Sequence, residues 1–223
     1  MSARSNILAN IRRALDVTGR EAPRLRIVED RLQQAPQGVI PARGQVDGAQ
    51  QLALFRDEAE RAAAIVTEVS SGGQVPDSIA TYLRGRNLPA RIRCGADAYL
   101  ASLPFAAAGL EIAHGRAEAS DLVCLSHAFG AVAESGTVVV ISGEDNPTTL
   151  NFLPETHIVV VQAKDIVGDY EAIWQKLRAA YGKGLMPRTV NFITGPSRSA
   201  DIGHSLQLGA HGPRVLHIIV VTG

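Results

Sequence analysis

One run combines residue types and spacing suited to a site: Thr-Gly-Pro-Ser-Arg-Ser-Ala-Asp-Ile at 194–202, directly after an apolar, β-branched segment. Gly195 permits a tight turn and Pro196 presets its geometry. Ser197 or Ser199 can cap the following turn while leaving backbone N–H groups to face an anion. Arg198 can add a bidentate clamp on a carboxylate or phosphate, with Asp201 orienting Arg198 or His211 rather than reacting itself. The same residues also suit a capped strand-to-helix turn with a surface Arg–Asp pair, and spacing alone does not separate the two.

Two further segments carry polar groups at strand entrances. Ala-Glu-Ser-Gly-Thr at 133–137 places a carboxylate, two hydroxyls and a glycine just before Val-Val-Val-Ile. Held near the first loop, Glu134 suits a general base, a nucleophile or an orienting acceptor, and Ser135 and Thr137 suit anion contact. A strand-entry turn with a solvated glutamate is the plainer alternative. Gly-Ala-His-Gly-Pro-Arg at 209–214 also precedes a strand and can project His211 into a cleft, although a lone loop histidine equally serves packing or the surface. Glu134, Asp201 and His211 are therefore the candidates for catalytic or orienting roles. Ser135, Thr137, Gly195, Ser197 and Arg198 are the candidates for anion binding.

Other chemistries lack their patterns. Histidines 114, 127, 157, 204 and 217 form no His-x-x-His or His-Glu-x-x-His spacing, and Cys-x-x-Cys does not occur, so no metal site is expected. The common nucleotide-binding glycine motifs are also missing. Cys94 and Cys124 are too few to hold an iron–sulfur cluster by this chain alone, so any such chemistry is expected in a partner. Cys124 sits in an apolar run and reads as core.

These residues must be positioned by a chain of 223 residues, 46% hydrophobic, 20% charged and only 4% aromatic, with 21 Gly and 11 Pro. That is the composition of an α/β domain with an aliphatic core and many tight turns. Residues 1–15 place Ile7, Leu8, Ile11 and Leu15 at helical spacing, which predicts an amphipathic first helix rather than a secretory signal. Residues 16–48, rich in Arg, Gln, Pro and Gly, predict an extended or partly mobile arm, giving an N-terminal helix and arm over 1–48 and an α/β domain over 49–223. Within that domain, helices are predicted at 50–64, from Pro76 through Leu83, and between Asp165 and Tyr181 with Trp174 inward. Strands are predicted at 65–69, 90–93, 122–125, 137–141, 157–161, 189–194 and 215–221. The β-branched runs at 137–141 and 157–161 suggest a central parallel or mixed sheet covered on both faces. A layered open sheet flanked by helices follows.

The formal net charge of +0 hides segregation: residues 94–171 hold eleven carboxylates against Arg116 and Lys164, while the flanks are arginine-rich. Such blocks can address separate partners, or simply be solvated. The scattered aromatics argue against a nucleic-acid surface. The apolar runs are too short to span a bilayer, so a cytoplasmic protein without membrane insertion is expected.

Read together and in order, the segments at 133–137, 194–202 and 209–213 resemble the diagnostic motifs of the LUD domain family, in its lactate-utilization protein C branch. The likeness is strongest from about Leu122 to Val221. Ser135 and Ser199 stand where threonine is usual, and Gly203 where glutamate is common. The resemblance implies a fold similar to the NagB/RpiA/CoA-transferase class. It also implies participation in the oxidation of L-lactate to pyruvate beside two iron–sulfur companion proteins, with no cofactor bound by this chain alone. The expected function is thus a non-redox subunit of a lactate-oxidising assembly. The alternative is a free-standing enzyme or a regulatory module for a small phosphorylated or carboxylated metabolite.

Overall fold

A computed structural model describes residues 2–199 and 207–223, in two compact units, Met1–Val39 and Ile40–Gly223. The first unit holds α1 (Ala3–Ala14), capped by the Ser2 hydroxyl accepting from Ser5 N–H, and α2 (Ala22–Gln34). The second helix corrects the expectation of an extended arm over 16–48. Proline in its first turn supplies a ready φ, Leu25, Val28 and Leu32 recur at helical spacing, and left-handed Ala35 ends it.

In the second unit the elements run α3 (Gly48–Arg61), β1 (Ile65–Val69), α4 (Val75–Gly85), β2 (Arg91–Cys94), α5 (Ala98–Ala101), β3 (Glu111–His114), β4 (Val123–His127), β5 (Gly130–Val132), β6 (Thr137–Ile141), β7 (Thr156–Gln162), β8 (Ile166–Val167), α6 (Tyr170–Tyr181), β9 (Val190–Ile193), β10 (Arg198–Ser199), β11 (Gln207–Leu208) and β12 (Val215–Val221). Six of the strands form a wholly parallel sheet in the order β1-β12-β7-β4-β2-β3. A second, mixed sheet has the order β8-β5-β6-β9. The β-branched runs at 137–141 and 157–161 therefore lie in different sheets. Both are buried on two faces, which is all that their patterning can report.

The period of two along each central strand sorts its side chains into two cores. Val123 and Leu125 of β4, Ile158 and Val160 of β7, and Ile219 and Val221 of β12 pack with Ile79 and Leu83 of α4 and with Leu100 of α5. The alternate residues Val159, Val161, Leu216, Ile218 and Val220 pack with Phe55 and Ala59 of α3 and with Ala131 and Val138 of the small sheet. The far face of that sheet, through Val132 and Val139, covers Ile173 and Leu177 of α6, with Trp174 against the cluster. The layers are thus helix, parallel sheet, helix with small sheet, and helix.

Candidate functional site

Two of the three sequence motifs meet at the small sheet. The antiparallel register pairs Val138 with Ile193, which brings Thr137, at the start of β6, beside Thr194, just after β9. Their hydroxyls lie 2.7 Å apart. The cluster extends to Ser135, whose Oγ is 2.8 Å from Thr137 Oγ1, and to the Tyr170 hydroxyl, 3.0 Å from both. Thr137 is fully buried, so this chain of hydroxyls satisfies groups that would otherwise cost free energy at the base of the site.

Glycine lets helix α3 support both turns. Gly136 has φ 61°, and a Cβ there would lie 2.1 Å from Ala59 N. Gly195 has φ 69°, and a Cβ would lie 2.0 Å from the Ala62 carbonyl oxygen. Each turn therefore rests directly on backbone at the carboxyl end of α3. The Arg198 guanidinium donates to that same Ala62 carbonyl, where a cation also offsets the negative end of the helix. Its expected role as an anion clamp thus competes with a helix-capping one.

The third motif closes a cavity of about 310 Å³ whose walls include Thr194, Gly195, Ser197, Arg198 and His211. Ser197 ties the motifs together: its N–H donates to the Pro213 carbonyl, its carbonyl accepts from Gly209 N–H, and its Oγ accepts from His211 N–H at 3.3 Å. The cavity lies at the amino ends of β7 and β12, bounded by His157 and Leu216, and at the carboxyl end of β9. Glu134 is buried but does not line it; its N–H donates to the Gly168 carbonyl, and its Oε2 is buried without a partner. Asp201 lies outside the described residues.

Sequence reasoning missed the polar floor of the cavity. His157 Nε2 lies 2.9 Å from Ser126 Oγ, which donates to Asn151 Oδ1 at 3.3 Å, and Asn146 Nδ2 donates to the same oxygen. Because Ser126 spends its proton on Asn151, it accepts from His157 Nε2–H, and Nδ1 keeps a lone pair. Burial pushes the His157 pKa down to about 3, so the ring is neutral. One acceptor, His157 Nδ1, and one donor, Asn151 Nδ2, are buried without partners among the described residues, on two residues that line the cavity. Polar residues inside otherwise apolar runs, Ser126 in Val-Cys-Leu-Ser and His157 before Ile-Val-Val-Val, are the signal that would have found them.

The remaining chemistry is quiet. Both cysteines are buried, and burial pushes Cys94 up to about 11 and Cys124 up to about 12, so neither is a ready thiolate. Among the described residues no group of three or more His, Cys, Asp or Glu is placed to hold a metal ion, and no helix is long and apolar enough to cross a membrane. A wider groove of about 580 Å³ runs along β1 and α4 around His217, away from the three motifs.

Lactate utilization protein C of Geobacillus sp. (strain WCH70) is 45% identical over 92 residues, which is 41% of this chain and 38% of that protein. Lactate utilization protein C of Bacillus subtilis (strain 168) is 40% identical over 91 residues, 40% and 38% of the two chains. The aligned part is thus about two fifths of the length of these relatives. The crystal structure of a DUF162 family protein from Deinococcus radiodurans superposes with a TM-score of 0.61 at 25% identity, covering 79% of this chain and 99% of that one. The LUD domain model matches residues 52–221, which takes in every strand and all three motifs, and the chain belongs to the LUD domain family.

Proposed function

We propose that this chain is a non-redox subunit supporting the oxidation of L-lactate to pyruvate in an assembly with two iron–sulfur proteins. The observation that carries the reading is the cavity itself, lined by two of the three segments that resemble the lactate-utilization protein C branch and joined to the third, at 133–137, through the contact between the Thr137 and Thr194 hydroxyls. At about 310 Å³ it is at the small end of ligand pockets, which run from about 300 to 1,000 Å³. Its unpartnered groups suit a small hydroxy-carboxylate: Asn151 Nδ2 can donate to a carboxylate oxygen, and neutral His157 Nδ1 can accept from the hydroxyl. Oxidation of lactate to pyruvate releases two electrons and two protons, and the iron–sulfur companions supply the electron acceptor. Buried, protonated thiols in this chain support placing the clusters in those companions. A fold of the NagB/RpiA/CoA-transferase type is part of the same proposal, supported by the layered arrangement of helices and parallel sheet.

The test is reconstitution of the companion proteins with and without this chain, following lactate-dependent reduction of an electron acceptor. The expected result is a loss of about tenfold or more without it, equivalent to about 1.4 kcal/mol of barrier. Full activity and assembly without the chain overturn the reading. The unpartnered polar atoms of the cavity also favour a second reading, a free-standing enzyme or regulatory module for a small carboxylated or phosphorylated metabolite. Turnover by the isolated chain would select the enzyme form of it.

A further inference from the structure

At the opposite end of the parallel sheet, a histidine is held by a carboxylate outside all three motifs. His127 closes β4, and its Nδ1 lies 3.2 Å from Asp97 Oδ2. Asp97 is fixed in turn, because its Oδ1 accepts from Leu100 N–H at 2.8 Å as the N-cap of α5. Burial pushes the Asp97 pKa up, but hydrogen bonds from His127 and Leu100 outweigh it and hold the carboxyl below its ordinary value. The ionised carboxylate places the proton of a neutral ring on Nδ1, so Nε2 presents a lone pair. That Nε2 is buried and has no partner among the described residues.

The surroundings repeat the pattern. The Tyr99 ring stacks on His127 with centroids 4.7 Å apart, and the Tyr99 hydroxyl is also buried without a partner. On the neighbouring strand Val160 is in register with His127, and Gln162 lies two residues further on, on the same face by the alternation of Ile158 and Val160. Gln162 Nε2 is the third unpartnered buried polar atom in this region. One acceptor and two groups able to donate are therefore left unsatisfied around the carboxyl ends of β4 and β7.

Topology gives this place an independent meaning. The connection leaving β2 passes through α5 on the α4 side of the parallel sheet, whereas the chain leaving β4 enters β5 on the α3 side. β2 and β4 are adjacent and parallel, so their carboxyl ends flank a switch point, where open α/β sheets form ligand crevices. Asp97 follows β2, and His127 ends β4. Both side chains remain about one fifth exposed, so the pair lies near the surface, with His127 Nε2 itself covered. Displacing Tyr99 to open it breaks no hydrogen bond of the Tyr99 hydroxyl.

We infer that Asp97, His127 and Tyr99 form a second ligand site, for a small hydroxylated carboxylate whose hydroxyl donates to His127 Nε2 while its oxygens accept from Tyr99 and Gln162. The inference rests on the proposed function only for the choice of L-lactate as probe. The experiment follows the His127 ring resonances of the full chain by NMR as L-lactate is added to about 100 mM, a range suited to millimolar affinity. Propionate, which lacks the hydroxyl, is the control. A saturable shift is expected with L-lactate and none with propionate. Asp97→Asn, which retains a capping side chain, is expected to weaken the response about tenfold, and Tyr99→Phe to weaken it while keeping the stacked ring. Ser197→Ala, in the amino-end cavity, is expected to leave it unchanged.

Absence of a saturable response in the unaltered chain overturns the site and leaves only bound water to satisfy these atoms. A response to propionate as strong as that to lactate, or one abolished by Ser197→Ala, also overturns it. If lactate binds at His127 but the chain proves dispensable to acceptor reduction, the proposed function fails and this site stands. If the chain is required but His127 does not respond, the reverse holds.

Discussion

The two ends of the parallel sheet hold histidines in opposite arrangements. At the amino end His157 faces only neutral partners, is fully buried, and has its pKa pushed down to about 3. At the carboxyl end His127 is held by an ionised carboxylate and stays about one fifth exposed. The first arrangement builds a rigid neutral wall; the second orients a lone pair. The family motifs gather at the amino end, while the general topology of open α/β sheets points to the carboxyl end. Position in a fold class and position of a family's motifs are therefore separate arguments, and here they select different places.

The largest expected effect tests whether α3 is the shared support of the amino-end turns. Gly136→Ala or Gly195→Ala forces a Cβ into α3 backbone at positive φ and should cost about 3 kcal/mol or more in denaturant unfolding. Gly109→Ala, at φ 72° with open space around it, isolates the conformational part and should cost only about 1 kcal/mol. Equal losses at all three positions would remove α3 from the account.

Acid titration comes next. Burial lowers His157 to about 3 and His217 to about 4, with Arg86 adding to the shift at His217. The unfolded chain takes up a proton at each near pH 6.5, the folded one does not, and stability therefore falls as pH drops from about 6.5 towards 4. The slope is about 1.4 kcal/mol per pH unit for each histidine. His157→Gln should remove one of the two contributions. An unchanged slope would show that the amino-end histidine is not held neutral.

Thr137→Val takes the central hydroxyl from the Ser135–Thr137–Tyr170–Thr194 cluster and should cost about 1 to 2 kcal/mol, since it leaves buried partners unpaired. Smallest is Arg198→Ala, at about 0.5 to 1 kcal/mol from the lost contact with the end of α3. Binding of L-lactate to that variant, read by calorimetry, separates the two roles of Arg198. Unchanged affinity assigns it to the helix, and a tenfold loss restores the anion clamp.

Deeply buried strands were legible because β6 and β7 are apolar at nearly every position, and α3, α4 and α6 because their apolar residues recur at helical spacing. Strand partnership was not, because an apolar run records burial and not the neighbour that causes it. The strands β3 and β5 have only four and three residues, too few to carry a pattern, whereas β2 was legible at 90–93. Of the site, the three motifs were readable from residue type, but not the displacement of Glu134 from the cavity, which depends on how its turn meets Gly168. The polar floor joins Ser126, Asn146, Asn151 and His157 across β4, β7 and the loop between β6 and β7, a proximity only the folded chain creates. α2 was hidden by composition, since arginine and glutamine mask the spacing of its apolar residues.

The most direct test of the central claim is lactate-dependent acceptor reduction by the assembly carrying Asn151→Ala in this chain, since Asn151 Nδ2 is the free donor of the amino-end cavity. The variant leaves Ser126 and Asn146 without their acceptor and is expected to be less stable, so it is assayed at a temperature where a cooperative unfolding transition shows it folded; there a loss of activity of about tenfold or more is expected, the worth of one carboxylate hydrogen bond. Activity equal to that of the unaltered assembly would contradict it.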